Sequence, residues 1–299
     1  MPATVTVGVD GSSESLAAAD WAAREAELWG RPVRLVHAGS WQPFSSAPGG
    51  RRGSGEAEAA RRQWAQKVLR ETAERLTTAR PRLSVTFEQV REAPAPALLD
   101  AASHGCPLVL GSRTVASVNG HEGLWMVGPV ALAVVAEATG PVVLVRSGAP
   151  APEEDPPTGT VGPSWGGAPY QDVVLGLDAG RPAAGALAFA FGEAARRQAR
   201  LKVVGAWRRP PGVDPGQDRA LDRDARQALR DALEPWRERH PSVPVTVRTG
   251  FGGAAARLVD ESAEASLLVV GRGGERGRIG GVARTVLRHC ATAVAVVPG

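Results

Sequence analysis

Short apolar runs of strand length alternate with amphipathic helical stretches along most of the chain. The run Thr4–Asp10 is short, apolar and β-branched, which predicts a buried strand. Apolar positions then recur at helical spacing from Ala18 to Leu28, and Gly30 follows as a helix terminator. Such alternation of strand and helix predicts parallel β-α-β units.

The pattern occurs twice. In the first copy the further predicted strands are 33–37, 85–90, 108–111 and 142–145, and the further helices lie around 65–76, 95–103 and 129–138. In the second copy the predicted strands are 172–178, 201–207, 243–248, 267–271 and 294–297, with helices at 187–197, 221–236 and 254–263 and one after Gly281. We therefore predict a first domain at 1–147, a Pro/Gly/acidic linker at 148–170 and a second domain at 171–299.

Composition narrows the class of protein. The 299 residues are 43% apolar with a net charge of +4, and no dense run of like charge marks a nucleic-acid-binding arm. Cys106 and Cys290 lack metal-ligand spacing and fit a reducing compartment. The N-terminus lacks the features of a signal peptide, and the longest apolar run, 123–136, is too short to span a bilayer. We expect a cytoplasmic protein that binds neither membrane nor nucleic acid.

A glycine-rich loop carries the candidate chemistry. The apolar run Leu267–Gly271 leads into a loop that ends at Gly281 and feeds a helix. Glycines let the backbone approach a ligand closely, and a helix N-terminus offers unpaired N–H groups to an anion. The sequence therefore predicts a phosphate-binding loop, with an earlier copy beginning at Leu108.

The runs Val7–Ser12, Leu108–Arg113 and Leu268–Gly274 together resemble the universal stress proteins, with two UspA-type domains in one chain. The resemblance implies an α/β fold of two tandem open parallel five-stranded sheets, of order 3-2-1-4-5, with helices on both faces, as in adenine-nucleotide hydrolases. Strands one and four would then flank the point where strand order reverses, which is where such sheets bind ligands.

The resemblance also implies where a nucleotide would bind. In ATP-binding members, adenine lies near the strand-one aspartate and a strand-two residue, and the phosphates lie on a loop of form G-x2-G-x9-G-[S/T]. The corresponding positions in the first domain are Asp10, Val36, Gly111, Ser112, Arg113 and Gly128. In the second domain they are Asp178, Val204, Gly271, Arg272, Gly274, Gly280 and Gly281. The implied cofactor is ATP, with or without magnesium, or none.

Both loops depart from the pattern. Counting from Gly271 places the third glycine at Arg284, whereas the internal repeat aligns Gly128 with Gly280, each 14 residues before its next strand (142 − 128 and 294 − 280). In the repeat register, the hydroxyl position is Pro129 in one copy and Gly281 in the other. The first loop is then four residues longer than the pattern and the second four residues shorter.

Two functions remain open. One is a non-enzymatic stress-response or regulatory protein with degenerate nucleotide loops and an unidentified protein partner. The other is an ATP-binding sensor, or at most a slow ATPase, that binds nucleotide mainly in the second domain. A dinucleotide-dependent enzyme is disfavoured because the first strand lacks G-x-G-x-x-G and no P-loop lysine motif occurs. No catalytic residue or metal ligand is predicted.

Several positions have a structural interpretation beside the functional one. Asp10 and Asp178 either contact adenine or cap the turn into the first helix of their domain. His37 is interpreted as a satisfied structural histidine. The tryptophans are interpreted as core and inter-domain packing, and stacking on adenine is the alternative for Trp41 and Trp207, which follow the second strands.

The resemblance finally implies an assembly. Related domains pair through their last strands, so Val142–Val145 and Val294–Val297 are expected to pair within this chain as a pseudo-dimer. Further homodimerisation of the whole chain stays open.

Overall fold

A computed structural model of the chain describes residues 4–39, 55–102, 106–114, 125–147, 171–212 and 214–299. The described residues fall into two compact units, the first within 1–113 and 127–147 and the second within 114–126 and 148–299. The predicted linker, 148–170, lies outside the described residues, so the domain boundaries stay a prediction.

Strands and helices alternate as predicted. Up to residue 147 the elements are β1 (Val5–Gly8), α1 (Ser13–Trp29), β2 (Val33–Ala38), α2 (Gly55–Ala79), β3 (Val85–Val90), α3 (Pro94–Ala101), β4 (Leu108–Thr114), β5 (Trp125–Met126), α4 (Pro129–Glu137) and β6 (Val142–Arg146). From residue 171 they are β7 (Val173–Gly176), α5 (Ala184–Arg197), β8 (Leu201–Trp207), a 3₁₀ turn (Pro215–Gln217), α6 (Asp218–Arg239), β9 (Val245–Phe251), α7 (Ala254–Glu261), β10 (Leu267–Gly271), α8 (Gly281–His289) and β11 (Val294–Val297).

Each unit contains an open parallel sheet. The strand order is β3-β2-β1-β4-β6 in the first unit and β9-β8-β7-β10-β11 in the second. Helix α1 packs against α2 and α3 against α4, and α5 to α8 pair in the same way, so helices cover both faces of each sheet. The predicted α/β fold with sheet order 3-2-1-4-5 is confirmed in both units.

The core of each unit is its sheet. Parallel strands are covered on both faces, so their side chains are apolar without alternation. Fully buried strand residues include Val5, Val7, Leu35, Val109 and Leu144 in the first unit and Val173, Leu175, Leu201, Val269 and Val294 in the second. This packing fixes the carboxyl ends of the strands, where the candidate site lies.

Some element bounds differ from the prediction. Strands β4 and β9 continue past their predicted ends, to Thr114 and Phe251. Helix α1 ends at Gly30 with φ of 59°, as the glycine predicts, whereas α5 ends at Gln198 in the same left-handed conformation, with φ of 52°. Because Gln198 is not a glycine, sequence alone gave no sign of that conformation.

Candidate functional site

The carboxyl ends of strands one and four lie side by side in both units. In the first unit Val7 pairs with Val109, and in the second Gly176 pairs with Val270. The strand order reverses between these strands, which opens a crevice at that edge of an open α/β sheet. The predicted residues Asp10 and Gly111, and likewise Asp178 and Gly271, follow directly from these strand ends.

Asp10 holds the turn that leads into α1. Its carboxylate accepts a hydrogen bond from the backbone N–H of Ser12 at 3.0 Å and another from the Ser12 hydroxyl. The Ser12 hydroxyl oxygen in turn accepts from the N–H of Ser15 at 3.2 Å and caps the helix. The structural role of Asp10 is therefore visible, while its contact with adenine stays a prediction.

Asp178 makes the same kind of turn but a different helix start. Its carboxylate accepts from the N–H of Gly180 at 3.0 Å, yet α5 begins only at Ala184, with no side-chain cap from Ala183. A proline disfavours the helical conformation in the residue before it, so Pro182 explains why the first turn is unwound. The helix thus starts six residues after the aspartate, against three in the first unit.

This difference changes the space around the strand-four glycine. A Cβ atom at Gly111 would lie 2.4 Å from the backbone of Glu14, so only glycine lets α1 approach so closely. At Gly271, the nearest atom to such a Cβ would be the Cβ of Ala183, at 3.5 Å. The helix start therefore packs tightly on Gly111, whereas at Gly271 there is room for a methyl group in ordinary van der Waals contact.

The residues after Gly111 are already engaged. Ser112 is buried, and its hydroxyl oxygen accepts a hydrogen bond from the buried guanidinium of Arg146 at the end of β6. Arg113 is 55% exposed, and its Nε lies 4.0 Å from the carboxylate of Glu14. The predicted residues Gly111, Ser112 and Arg113 thus lie at the crevice, where Ser112 and Arg113 contact protein groups.

The predicted strand-two residues lie deeper in the sheet than the aspartates. The side chains of Val36 and Val204 are buried, and their carbonyl oxygens accept from the N–H groups of Val9 at 2.9 Å and Leu177 at 3.1 Å. Because Gly8 pairs with Val36, extending the parallel register by two residues places Ala38 level with Asp10.

The same count in the second unit starts from the pair Gly176 and Val204 and places Ala206 level with Asp178. Ala38 and Ala206 are therefore the strand-two residues beside the aspartates, and sequence reasoning did not name them. A register count between the first two strands could have found them.

The two helix starts after the loops support the alignment from the internal repeat. Gly128 precedes α4 with φ of −62° and ψ of 158°, and Gly280 precedes α8 with −63° and 158°. Thr285 lies inside α8, where its hydroxyl donates to the carbonyl oxygen of Gly281 at 2.9 Å. The helices therefore begin at Pro129 and Gly281, neither of which offers a hydroxyl.

The glycines of the second loop allow the loop to fold on itself. Gly273 is left-handed with φ of 69°. A Cβ at Gly274 would lie 2.7 Å from the carbonyl oxygen of Arg278, and one at Gly280 would lie 2.7 Å from that of Gly273. The N–H of Gly280 donates to the carbonyl oxygen of Arg272 at 2.9 Å. These glycines are required by the packing of the loop itself.

Both units place a buried guanidinium at the end of the sheet, but from different strands. In the first unit it belongs to Arg146 on β6, beside Ser112. In the second unit Arg272 follows β10 at the position of Ser112, and its side chain is also buried. The backbone N–H of Arg272 donates to the carbonyl oxygen of Val297 at 2.7 Å, which ties the loop to β11.

Trp207 is the last residue of β8 and is held by neighbours. Its indole N–H donates to Asp222 at 3.0 Å, and its ring lies 5.3 Å from that of Phe251. The hydroxyl of Thr249 also donates to Asp222, at 2.7 Å, and this hydrogen bond is the main reason that the pKa of Asp222 is lowered. Trp41 lies outside the described residues.

The interpretation of His37 as a satisfied histidine finds no support among the described residues. The side chain is buried, and neither ring nitrogen makes a hydrogen bond within the described part of the chain. Burial lowers the pKa of His37 because it removes water from the charged imidazolium, while nearby Asp10 opposes that shift. The imidazole is therefore neutral near neutral pH.

No helix of the described ranges is long and apolar enough to cross a membrane. No cluster of three or more His, Cys, Asp or Glu residues is placed there to hold a metal ion. The cysteines Cys106 and Cys290 are both buried and unbridged.

Two open parallel α/β sheets, each with a strand-four glycine at the point where strand order reverses, define a tandem protein of the doubly wound α/β class. Residues 1–146 and 169–298 both match the family model of the universal stress protein family. The chain belongs to the universal stress protein family and carries two segments of it.

Relatives of similar length support this assignment. Two universal stress proteins of Mycobacterium tuberculosis are 32% and 31% identical to the chain, over 98% of it and 96% and 95% of their own lengths. A solved universal stress protein from Archaeoglobus fulgidus covers 99% of the chain and 98% of its own, with a TM-score of 0.68 and 15% identity. At that identity the likeness concerns the fold alone.

Proposed function

We propose that the chain is a non-enzymatic stress-response protein that acts through protein contacts, and that neither of its loops binds a triphosphate in the pattern of ATP-binding relatives. The observation that best supports this proposal is the folding of the second loop on itself. The N–H of Gly280 already donates a hydrogen bond to the carbonyl oxygen of Arg272, and the N–H of Arg272 donates one to the carbonyl oxygen of Val297.

A phosphate-binding loop needs backbone N–H groups that point at the ligand. Opening the second loop to free them would break these two hydrogen bonds and the close packing of Gly274 and Gly280. The missing hydroxyl at Gly281 removes a further hydrogen bond to a charged group, worth about 1.5–3 kcal/mol. In the first unit, Pro129 offers neither a hydroxyl nor an N–H at the helix start. These residues do not fit the triphosphate of the family pattern.

One specific observation favours the second candidate, ATP binding in the second unit. The unwound start of α5 packs less tightly on Gly271, where only the Cβ of Ala183 comes near, than the backbone of Glu14 packs on Gly111. Arg276 and Arg278 lie exposed on the same loop and could neutralise phosphate charge. A rearranged loop could use both features.

Calorimetric titration of the full chain with ATP and magnesium distinguishes the two candidates. We expect no saturable heat up to about millimolar ATP. Such a result would limit the binding free energy to less than about 4 kcal/mol. Gly281→Ser restores the hydroxyl of the pattern, and Thr285→Ala is its control because Thr285 faces its own helix backbone.

The second candidate would be favoured over the first if the wild-type chain bound ATP saturably, Gly281→Ser strengthened that binding and Thr285→Ala left it unchanged. Loss of binding in Thr285→Ala would instead show that the alternative count, which ends at Arg284, is the functional one.

Three further predictions stay proposals. Buried, unbridged Cys106 and Cys290 support a cytoplasmic location. The pairing of Val142–Val145 with Val294–Val297 and the homodimerisation of the whole chain await a measurement of its mass in solution. The partner protein has no signature in the described residues.

A further inference from the structure

The first unit contains a cavity of about 770 Å³ that is separate from the crevice between β1 and β4. Its described lining comes from the carboxyl ends of β2 and β3 and from the first half of α2, including His37, Gly39, Arg61, Trp64 and Arg91. We call it the β2–β3 pocket. Its volume lies within the range of small-molecule sites.

Trp64 forms the wall between this pocket and the strand-one turn. Atom Cζ2 of its indole lies 2.9 Å from where Gly11 would carry a Cβ, so only glycine, at φ of 78°, fits there. On the other side, the indole meets the ring of His37 edge-on, with centroids 5.7 Å apart. Trp64 is 45% exposed, so part of its ring remains uncovered. An exposed aromatic surface inside a cavity favours a ring-shaped occupant.

The charged arginines and glutamates of the described lining are partly or fully exposed, which assigns them to the mouth of the pocket. His37 is neutral near neutral pH because burial lowers its pKa, so the floor adds no charge. Arg62 and Glu58 at the rim pair with each other at 3.4 Å. Beyond that pair, the described lining carries the two cations Arg61 and Arg91 against the one anion Glu92. The excess of positive charge favours a ligand with an acidic group.

The second unit shows what closes the corresponding place. Since Gly8 pairs with Val36 and Gly176 with Val204, Gly39 corresponds to Trp207, three residues further along each strand. Trp207 packs on Phe251 and is fixed by its hydrogen bond to Asp222. A large, anchored ring therefore occupies that place in the second unit.

In the first unit the corresponding residue is a glycine that cannot be replaced without strain. Gly39 has φ of 86°, and a Cβ there would lie 2.9 Å from the carbonyl oxygen of Glu92. The absence of a side chain at position 39 is thus imposed by the backbone, and among the described residues no ring fills the pocket as Trp207 does in the second unit.

We propose that the β2–β3 pocket of the first unit is a binding site for a small planar ring compound that bears an acidic group. The ring lies against Trp64, and the acidic group lies at the mouth beside Arg61 and Arg91. Because the pocket is walled off from the strand-one turn, this site is independent of whether either loop binds ATP.

The test uses anilinonaphthalene sulfonate, a fluorescent ring compound with an acidic group, and the full chain. Ala60 and Ala59 are neighbouring exposed residues of α2, and only Ala60 lines the pocket. We expect saturable binding at one site per chain, weakened at least about tenfold by Ala60→Trp and changed less than about twofold by Ala59→Trp, because a filled cavity excludes its ligand. Surface alanines of a helix tolerate such changes, so both variants should fold.

Two further measurements, on an Arg91 variant and in the presence of ATP, test where the probe binds. Arg91→Gln should weaken binding and reduce its dependence on salt, because Arg91 is a charge at the mouth. ATP with magnesium should not displace the probe, which keeps this test separate from that of the nucleotide loops. Equal binding by the Ala60→Trp and Ala59→Trp variants, absence of saturable binding, or displacement of the probe by ATP would each overturn the proposal.

Discussion

The two units have the same sheet order but differ at the edge where a ligand would bind. In the first unit α1 begins three residues after Asp10, and its first turn covers Gly111. In the second unit α5 begins six residues after Asp178, and only the Cβ of Ala183 comes near Gly271. One helical turn, set by a capping serine in one unit and by a proline in the other, therefore decides how tightly the helix start packs on the strand-four glycine.

A second difference runs in the opposite direction. At the carboxyl end of strand two, the first unit has Gly39 and an open pocket, whereas the second has Trp207 and a packed cluster of side chains. Each unit thus packs tightly at the place where its counterpart has more room. Duplication of one fold has allowed the two copies to diverge at sites a few residues apart while the buried strands stay alike.

The largest effect is expected from replacing a strand-four glycine by alanine. Gly111→Ala places a methyl group 2.4 Å from the backbone of Glu14 and should destabilise the first unit by about 3 kcal/mol. The matched change Gly271→Ala meets only the Cβ of Ala183 at 3.5 Å and should cost less than about 0.5 kcal/mol. Urea unfolding, followed by tryptophan fluorescence, measures both. Equal losses in the two variants would contradict the difference in packing between the two strand-four glycines.

Removing the ring that fills the second unit should cost somewhat less. Trp207→Ala loses the packing on Phe251 and the hydrogen bond to Asp222, and we expect a loss of about 2 kcal/mol in the free energy of unfolding.

Trp207→Phe is the control that keeps a ring but lacks the N–H donor. It should raise the pKa of Asp222, although the hydrogen bond from Thr249 still holds this pKa below its usual value. Carboxyl titration by NMR measures this shift. An unchanged pKa in Trp207→Phe would mean that the indole N–H does not act on Asp222.

The cap that closes the first crevice should contribute about 1 kcal/mol. Ser12→Ala removes the acceptor for the N–H of Ser15, and unfolding free energy should fall by about that amount. The corresponding residue of the second unit is Gly180, whose substitution Gly180→Ala should change stability by less than about 0.5 kcal/mol because no helix is capped there. A larger loss at Gly180 than at Ser12 would reverse the comparison.

The smallest effect is a pH dependence confined to the first unit. Since burial lowers the pKa of His37 below its ordinary 6.5, the unfolded chain binds a proton at this residue before the folded chain does. Stability should therefore be fully present above about pH 6.5 and fall as the pH drops below that value.

His37→Gln should flatten this part of the profile, measured by urea unfolding between about pH 7 and about pH 5. Charged groups around the histidine include Asp10 and the rim residues Arg61 and Glu92, so the difference between the wild-type and variant profiles is the relevant quantity. An identical slope in both proteins would show that His37 does not titrate differently on folding.

Much of the fold could be predicted from the sequence because its signals are local. Apolar β-branched runs marked the strands, Gly30 marked the end of α1, and the repeat aligned Gly128 with Gly280 at matching helix starts. Pro182 also encodes the start of α5, which lies six residues after Asp178. The spacing of apolar residues predicted that start at Leu187, three residues after its actual position at Ala184.

The candidate site was harder to predict because it depends on distances between strands. Ala38 and Ala206 lie beside the aspartates only through the parallel register. Gly274 and Gly280 pack against their own loop because the loop folds back on itself. The spacing of glycines in the sequence does not reveal that fold. The pocket beside His37 depends on the missing side chain at Gly39, at the end of β2, and on the position of Trp64 in α2, two elements that folding brings together.

The central claim is that the second loop packs on itself and does not bind a triphosphate. It is tested most directly by the backbone amide NMR signals of Gly273, Gly274, Gly280 and Gly281 in an isotope-labelled full-length chain during titration with magnesium ATP. We predict that the chemical shifts of these four amides do not change up to about millimolar nucleotide. A loop whose N–H groups already donate to protein carbonyl oxygens, as that of Gly280 does, has none to offer a phosphate. Saturable shifts of these glycine signals would contradict the account and assign nucleotide binding to the second unit.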